Sequence, residues 1–335
     1  MRALKFILWS LIASSSAKDD KKDDKNCANS QPAPFIYITV HDEIKNILKY
    51  SRDGCLLSKN VLNGGEFRLD SELRSMALGS YHGEEALYVA DASTHRSQIL
   101  VYLVCDDRKS WCFKKHVVTS DDNPGADHAY GITFDDRGNV YASFQHTDTV
   151  LRFEKDNFSP LDLNPVYLTN RNAVTYFDGT FLQFGEPTEH DKVHRGVRSI
   201  LHVNGNIWIA HEDLEGIVVV SVTSGKVITI ITVNSPIGLY RPPKSDTVYC
   251  GCKSKQFGGV VYAIDAYSYS IDSRLSYRSK HMEHPTGITS YKDILYVAEQ
   301  SQNDVHMFDI DSGEHLGKFV KDLPGSVEQL LLADI

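Results

Sequence analysis

Apolar and polar residues alternate along this chain in short runs, and the runs come in recurring groups. The clearest group is Pro285-Thr-Gly-Ile-Thr, then Ile294-Leu-Tyr-Val-Ala-Glu, a polar turn, and Asp304-Val-His-Met-Phe-Asp. The same order appears in Ala129-Tyr-Gly-Ile-Thr with Asn139-Val-Tyr-Ala-Ser and Thr149-Val-Leu-Arg-Phe. It appears again in Val197-Arg-Ser-Ile-Leu with Asn206-Ile-Trp-Ile-Ala-His, and in Pro236-Ile-Gly-Leu-Tyr with Thr247-Val-Tyr-Cys-Gly-Cys. Period-two alternation of β-branched and aromatic residues, bounded by Gly, Asp, Asn and Ser, predicts short β-strands. No long segment carries a 3.6-residue period.

Groups of short strands repeated nearly end to end specify a radial array. Each copy reads as a four-stranded blade, with the Gly-Ile-Thr strand innermost, Leu-Tyr-Val-Ala second, Val-x-x-Phe third and a variable strand at the edge. The first copy begins at the second strand, Phe35-Ile-Tyr-Ile-Thr-Val40, with no innermost strand before it. That strand is supplied at the other end by Pro324-Gly-Ser-Val-Glu-Gln-Leu-Leu-Leu332. The prediction is an all-β, six-bladed β-propeller in which the C-terminal strand completes the N-terminal blade and hides both edges. Tyr88, Tyr141, Trp208, Tyr249 and Tyr296 hold one strand position in successive blades and are assigned to packing between them.

Ahead of the single domain at 35–335, residues 1–17 read as a secretory signal: Arg2 and Lys5, an apolar run, then small residues up to Ala17. Residues 18–34 form a polar leader. Export predicts disulfides, with Cys105–Cys112 bridging a hairpin and Cys27–Cys55 a weaker pairing. Cys250 and Cys252 share one strand face and read as small buried hydrophobes. Asn157-Phe-Ser159 is a glycosylation sequon. A formal net charge of −9 argues against a nucleic-acid partner, and no apolar run reaches the roughly 20 residues of a membrane span.

From Phe35 to Leu332, the Pro-x-Gly-Ile, Leu-Tyr-Val-Ala and Val-x-x-Phe phrases resemble NHL-repeat propellers. They are also similar to the wider group of SMP-30/gluconolactonase-like and YVTN propellers. The resemblance implies the architecture and leaves activity open, since this scaffold carries binding proteins and enzymes alike. Lactonase-type relatives imply calcium in the channel, but Arg74, Tyr130, Arg198, Ile237 and Thr286 hold the corresponding positions and supply few oxygen ligands. Peptide-amidating lyases of this shape imply a zinc held by histidines. Here His128, His194 and His284 each precede an innermost strand, at one end of the channel, where three imidazoles and a water would suit zinc or another divalent metal.

The loops after the second strands add His41, Asp91, His95, His146, Asp148, His211, Glu212, Glu299 and Asp304 to the same end. This face is the predicted ligand surface. The sequence-level expectation is a secreted binding module for a protein, peptide or glycan. The alternative is a metal-dependent lyase or hydrolase using some of His128, His194, His211 and His284.

Overall fold

The computed structural model describes residues 33–41, 45–65, 67, 70–161, 166–167, 179–184, 196–254 and 258–335. Six sheets, antiparallel but for one edge pairing in each of two, stand around a common axis. The first is built from both ends of the chain, Ser326–Ala333 innermost, then Phe35–His41, Ile47–Tyr50 and Leu56–Ser58. Ile36 pairs with Leu332 and Ile38 with Leu330, so the expected closure is present residue by residue.

The innermost strands of blades two to six are Leu73–Tyr81, Ala129–Phe134, Val197–Val203, Pro236–Tyr240 and Pro285–Tyr291. Two blades exceed the expected four strands. Leu62–Asn63, arriving from blade one, pairs in parallel with Trp111 and Cys112 at the outer edge of blade two. Val166–Tyr167 does the same on Thr180–Gln183 in blade three. In both cases a connecting segment satisfies backbone groups that an edge strand leaves open.

Apolar clusters fill the seams between neighbouring blades, six clusters for six seams. Tyr88, Tyr141, Trp208, Tyr249 and Tyr296 are all buried in them, as the repeat position predicts, and Tyr37 fills the same role in blade one. Removing one such aromatic, as in Trp208→Ala, costs about 3–5 kcal/mol.

The innermost strands share a further device. In each blade the register to the second strand shifts near the start of the innermost strand, at Arg74, Tyr130–Gly131, Arg198–Ser199, Ile237, Thr286–Gly287 and Glu328. A bulge re-aims side chains, and here it presents six residues, one per blade, to the axis. The recurrent glycine beside that position lets adjacent inner strands touch. A Cβ on Gly238 would lie 1.7 Å from the Thr286 carbonyl oxygen, and one on Gly287 2.5 Å from the Gln329 Cα.

Cys105 and Cys112 are disulfide-bonded as predicted. Cys55 is also disulfide-bonded, and its expected partner Cys27 lies outside the described residues, as do the signal and nearly all of the leader. Asn157 is exposed in a turn, its side chain accepting from the Ser159 N–H at 2.8 Å. Among the described residues no helix is long and apolar enough to cross a membrane.

Candidate functional site

The six bulged positions nearly close the axis. Between Arg74, Ser75, Tyr130, Gly131, Ser199, Ile237, Gly238, Thr286, Glu328 and Gln329 there remains a cavity of about 10 Å³, room for about one water. What fills the channel is polar. Glu328, 1% exposed, takes Arg74 Nη1 at 2.5 Å, His41 Nε2 at 2.9 Å and the Tyr130 hydroxyl at 3.3 Å, together with the Gln300 amide. Burial by itself would raise the Glu328 carboxyl; the Arg74 guanidinium and the His41 hydrogen bond outweigh it and hold it at about 2. Arg74 also pairs with Glu72 at 2.5 Å.

A second pair continues the network toward blades four and five. The Arg198 guanidinium lies 5.2 Å from the centre of the Tyr130 ring and donates through Nε to Glu212 at 3.0 Å. Lys253 Nζ reaches the other Glu212 oxygen at 3.4 Å. Burial disfavours the Glu212 charge, but Arg198 and Lys253 together keep the carboxyl below its usual range. His284 lies within the field of these charges. Burial, reinforced by the nearby Lys253 charge, lowers its imidazole to about 4, so the ring is neutral at physiological pH.

All these residues lie at the starts of innermost strands or in the loops after second strands, hence at one mouth of the ring. Three cations, Arg74, Arg198 and Lys253, meet three carboxylates, Glu72, Glu212 and Glu328. Around the buried Glu328, the other five side chains are between 14% and 30% exposed. The mouth is therefore a wet, charge-balanced floor over a plugged channel.

Of the residues that sequence pattern put on this face, His41, Glu212 and His284 join that floor. Others are buried within the blades and tie loops down. Asp91 accepts from Ser71, Gln98 and the Glu72 and Ser93 N–H groups. Glu299 accepts from the N–H groups of Glu283, His284 and Ser301. Asp304 binds Lys318 and the Asp322 N–H. Asp148 accepts from the Val197 N–H and pairs with His211 Nε2 at 3.2 Å, while His211 Nδ1 accepts the Leu214 N–H. Both His211 nitrogens are thus committed, which leaves no free base. A loop after a β-strand needs its backbone donors satisfied, and a buried carboxylate does so.

His95 is exposed and paired with Asp70 at 2.7 Å. His128 stacks on His146 at 4.3 Å between ring centres, with Asp127 3.4 Å from His146. His194 lies outside the described residues. Among the described residues no group of three or more His, Cys, Asp and Glu side chains is arranged to hold a metal ion. Calcium fits the axis no better, since the Arg74 guanidinium lines it and already holds Glu328, its one carboxylate.

The opposite end of the ring carries a groove of about 370 Å³ between blades three and four, lined by Asp135, Asp136, Arg137, Arg152 and His202 among others. Arg152 Nε is committed to the Leu161 carbonyl.

Sequence reasoning missed Arg74, Arg198 and Glu328 as site residues. Arg74 and Arg198 were visible only as poor calcium ligands. Glu328 was within reach: setting Val327-Glu328-Gln329-Leu330 over Pro285-Thr286-Gly287-Ile288 puts it at the axial position.

No protein-family model matches the sequence, and no curated protein matches it. Solved structures do. A chain from the crystal structure of a nidogen/laminin complex superposes with a TM-score of 0.59 at 12% identity, over 90% of this chain and 98% of that one. A protein of unknown function from Bacteroides caccae gives 0.59 at 9% identity, over 90% and 100%. At such identities the likeness shows the fold, and this chain is similar to those proteins as a six-bladed propeller.

Proposed function

We propose that this chain is an exported, NHL-like propeller that binds a protein, peptide or glycan ligand on the mouth built around Arg74, Arg198, Glu212, Lys253, His284 and Glu328. The plugged axis carries this reading. With space for about one water, the channel admits no substrate, so a ligand meets the charged floor from outside. Hydrogen-bonding groups held in fixed geometry on a rigid scaffold favour recognition, because little ordering is needed on binding. The nidogen/laminin complex, a protein–protein assembly containing a chain of this shape, supports a binding role.

The test is a surface-plasmon screen of the secreted chain against extracellular-matrix proteins, their peptides and a glycan array, repeated with Lys253→Glu. A hit whose affinity falls roughly tenfold in the variant, about 1.4 kcal/mol, is the expected result. A hit unaffected by Lys253→Glu and by His284→Ala moves the binding surface elsewhere, the groove beside His202 being the next place to examine.

A further inference from the structure

Cys250 and Cys252 stand apart from the other described cysteines. Cys55, Cys105 and Cys112 are bonded, whereas these two are free, fully buried, and 3.4 Å apart at sulfur. Strand periodicity puts both on the face toward blade four, in a cluster with Trp208, Ala210, Ile217 and Val219. Gly251 between them abuts blade six, where a Cβ would lie 2.9 Å from the Pro285 carbonyl oxygen. No third ligand joins them among the described residues, and structural zinc takes four. The pair therefore has the chemistry of a dithiol and lacks that of a metal site.

A disulfide needs sulfurs about 2.05 Å apart and Cα atoms within about 4.4–6.8 Å. Two residues along a strand span roughly 6.6–6.8 Å, the upper limit for the Cα atoms, and the Cβ atoms must be drawn together to about 3.5–4.5 Å, so closure buckles the strand at Gly251, the residue freest to allow it. We propose that Cys250 and Cys252 form an oxidisable dithiol that closes reversibly into an intrastrand disulfide by exchange with a low-molecular-weight or protein disulfide.

In the first step a Cys252 thiolate attacks one sulfur of the oxidant RS–SR, forming Cys252–S–SR and releasing RS⁻, which takes up a proton. Cys250 then attacks the Cys252 sulfur, the second RS group leaves as RSH, and the Cys250–Cys252 bond is made. Two protein thiols lose two electrons, and one oxidant disulfide becomes two thiols. Burial, with Cys252 alongside, pushes the Cys250 thiol well above its ordinary range, so exchange proceeds slowly, through openings of the seam, and faster at higher pH.

That buckling has a route to the mouth. Lys253 follows directly, its N–H held by the Ser235 carbonyl at 3.0 Å and its ammonium by Glu212, while the Ser254 N–H donates to Glu283 at 3.2 Å. Oxidation would loosen these anchors. This regulatory consequence rests on the binding-face reading above; the thiol chemistry does not.

The experiment incubates the full chain with oxidised glutathione at mildly alkaline pH, then alkylates it in denaturant and maps peptides by mass spectrometry. The expected result is loss of two hydrogens and of both alkylatable thiols from the peptide spanning 250–252, reversed by dithiothreitol and abolished by Cys252→Ser. Both thiols still alkylatable after prolonged exposure, or a stable glutathione adduct without closure, overturns the dithiol. Hydrogen exchange then reads the coupling: the Lys253 and Ser254 amides exchange faster in the oxidised form. A disulfide that leaves their exchange unchanged overturns the link to the mouth alone, and Lys253→Glu binding data judge the mouth itself.

Discussion

Glu328 is the carboxylate on which the axial network converges, and Glu328→Gln tests whether that network holds the ring together. The substitution keeps the shape and one carbonyl acceptor while removing the charge. Two routes give its cost. The folded carboxyl sits at about 2 against an ordinary 4.5, and at roughly 1.4 kcal/mol per unit this is about 3 kcal/mol of stability. The side chain is 1% exposed, so solvent screening takes little away. Independently, removing one partner of a buried ion pair costs about 3–5 kcal/mol. The retained carbonyl of Gln puts this variant at the low end, about 3 kcal/mol.

The sign follows from the direction of the shift. A carboxyl held below its unfolded value stabilises the protein fully above about 4.5, and that stability is lost as pH falls toward 2. Urea unfolding of wild type and variant, followed by tryptophan fluorescence at steps from pH 7 to pH 3, separates this group from every other carboxylate, since the rest titrate in both proteins. The gap should be about 3 kcal/mol near neutrality and shrink to about 1 kcal/mol near pH 3. A gap below about 0.5 kcal/mol at pH 7, or one that does not narrow with acid, refutes the account.

Deleting the chain from Pro324 onward removes the innermost strand of blade one and Glu328 with it; the cooperative thermal transition should be lost, and an unchanged melting temperature would sink the closure mechanism. Gly238→Ala places a Cβ 1.7 Å from the Thr286 carbonyl, so it should destabilise by about 3 kcal/mol or more in urea titration, since overpacking against backbone cannot be relieved by a rotamer change. Elemental mass spectrometry of the purified, untagged chain should find no stoichiometric transition metal; near-stoichiometric zinc would restore a histidine centre involving His194 and displace the binding reading.

The fold was legible because propeller architecture is written in local pattern. Alternation marks each strand, the aromatic at the Tyr88 position marks each seam, and an orphaned second strand at Phe35 asks for its partner at the far end of the chain. The face was legible for the same reason, since strand order alone decides which loops share an end. Individual roles were not, because a polar residue after a strand reads identically whether it faces solvent or reaches back to satisfy buried N–H groups. Asp91 and Glu299 do the latter, Glu212 instead pairs with Arg198 and Lys253 at the mouth, and only three-dimensional contact separates them. The axial positions themselves were visible and their ion pairing was not: the bulge at each innermost strand takes one residue out of the alternation and turns it inward. Aligning the repeats puts Arg74 in the channel, but nothing in its own repeat names Glu328, near the other end of the chain, as its partner. The same bulge sets the chemistry of this ring. With glycine beside it the inner strands close to contact, and with charged residues on it the contact becomes an ion-paired plug, so one backbone feature both brings the blades together and closes the channel between them.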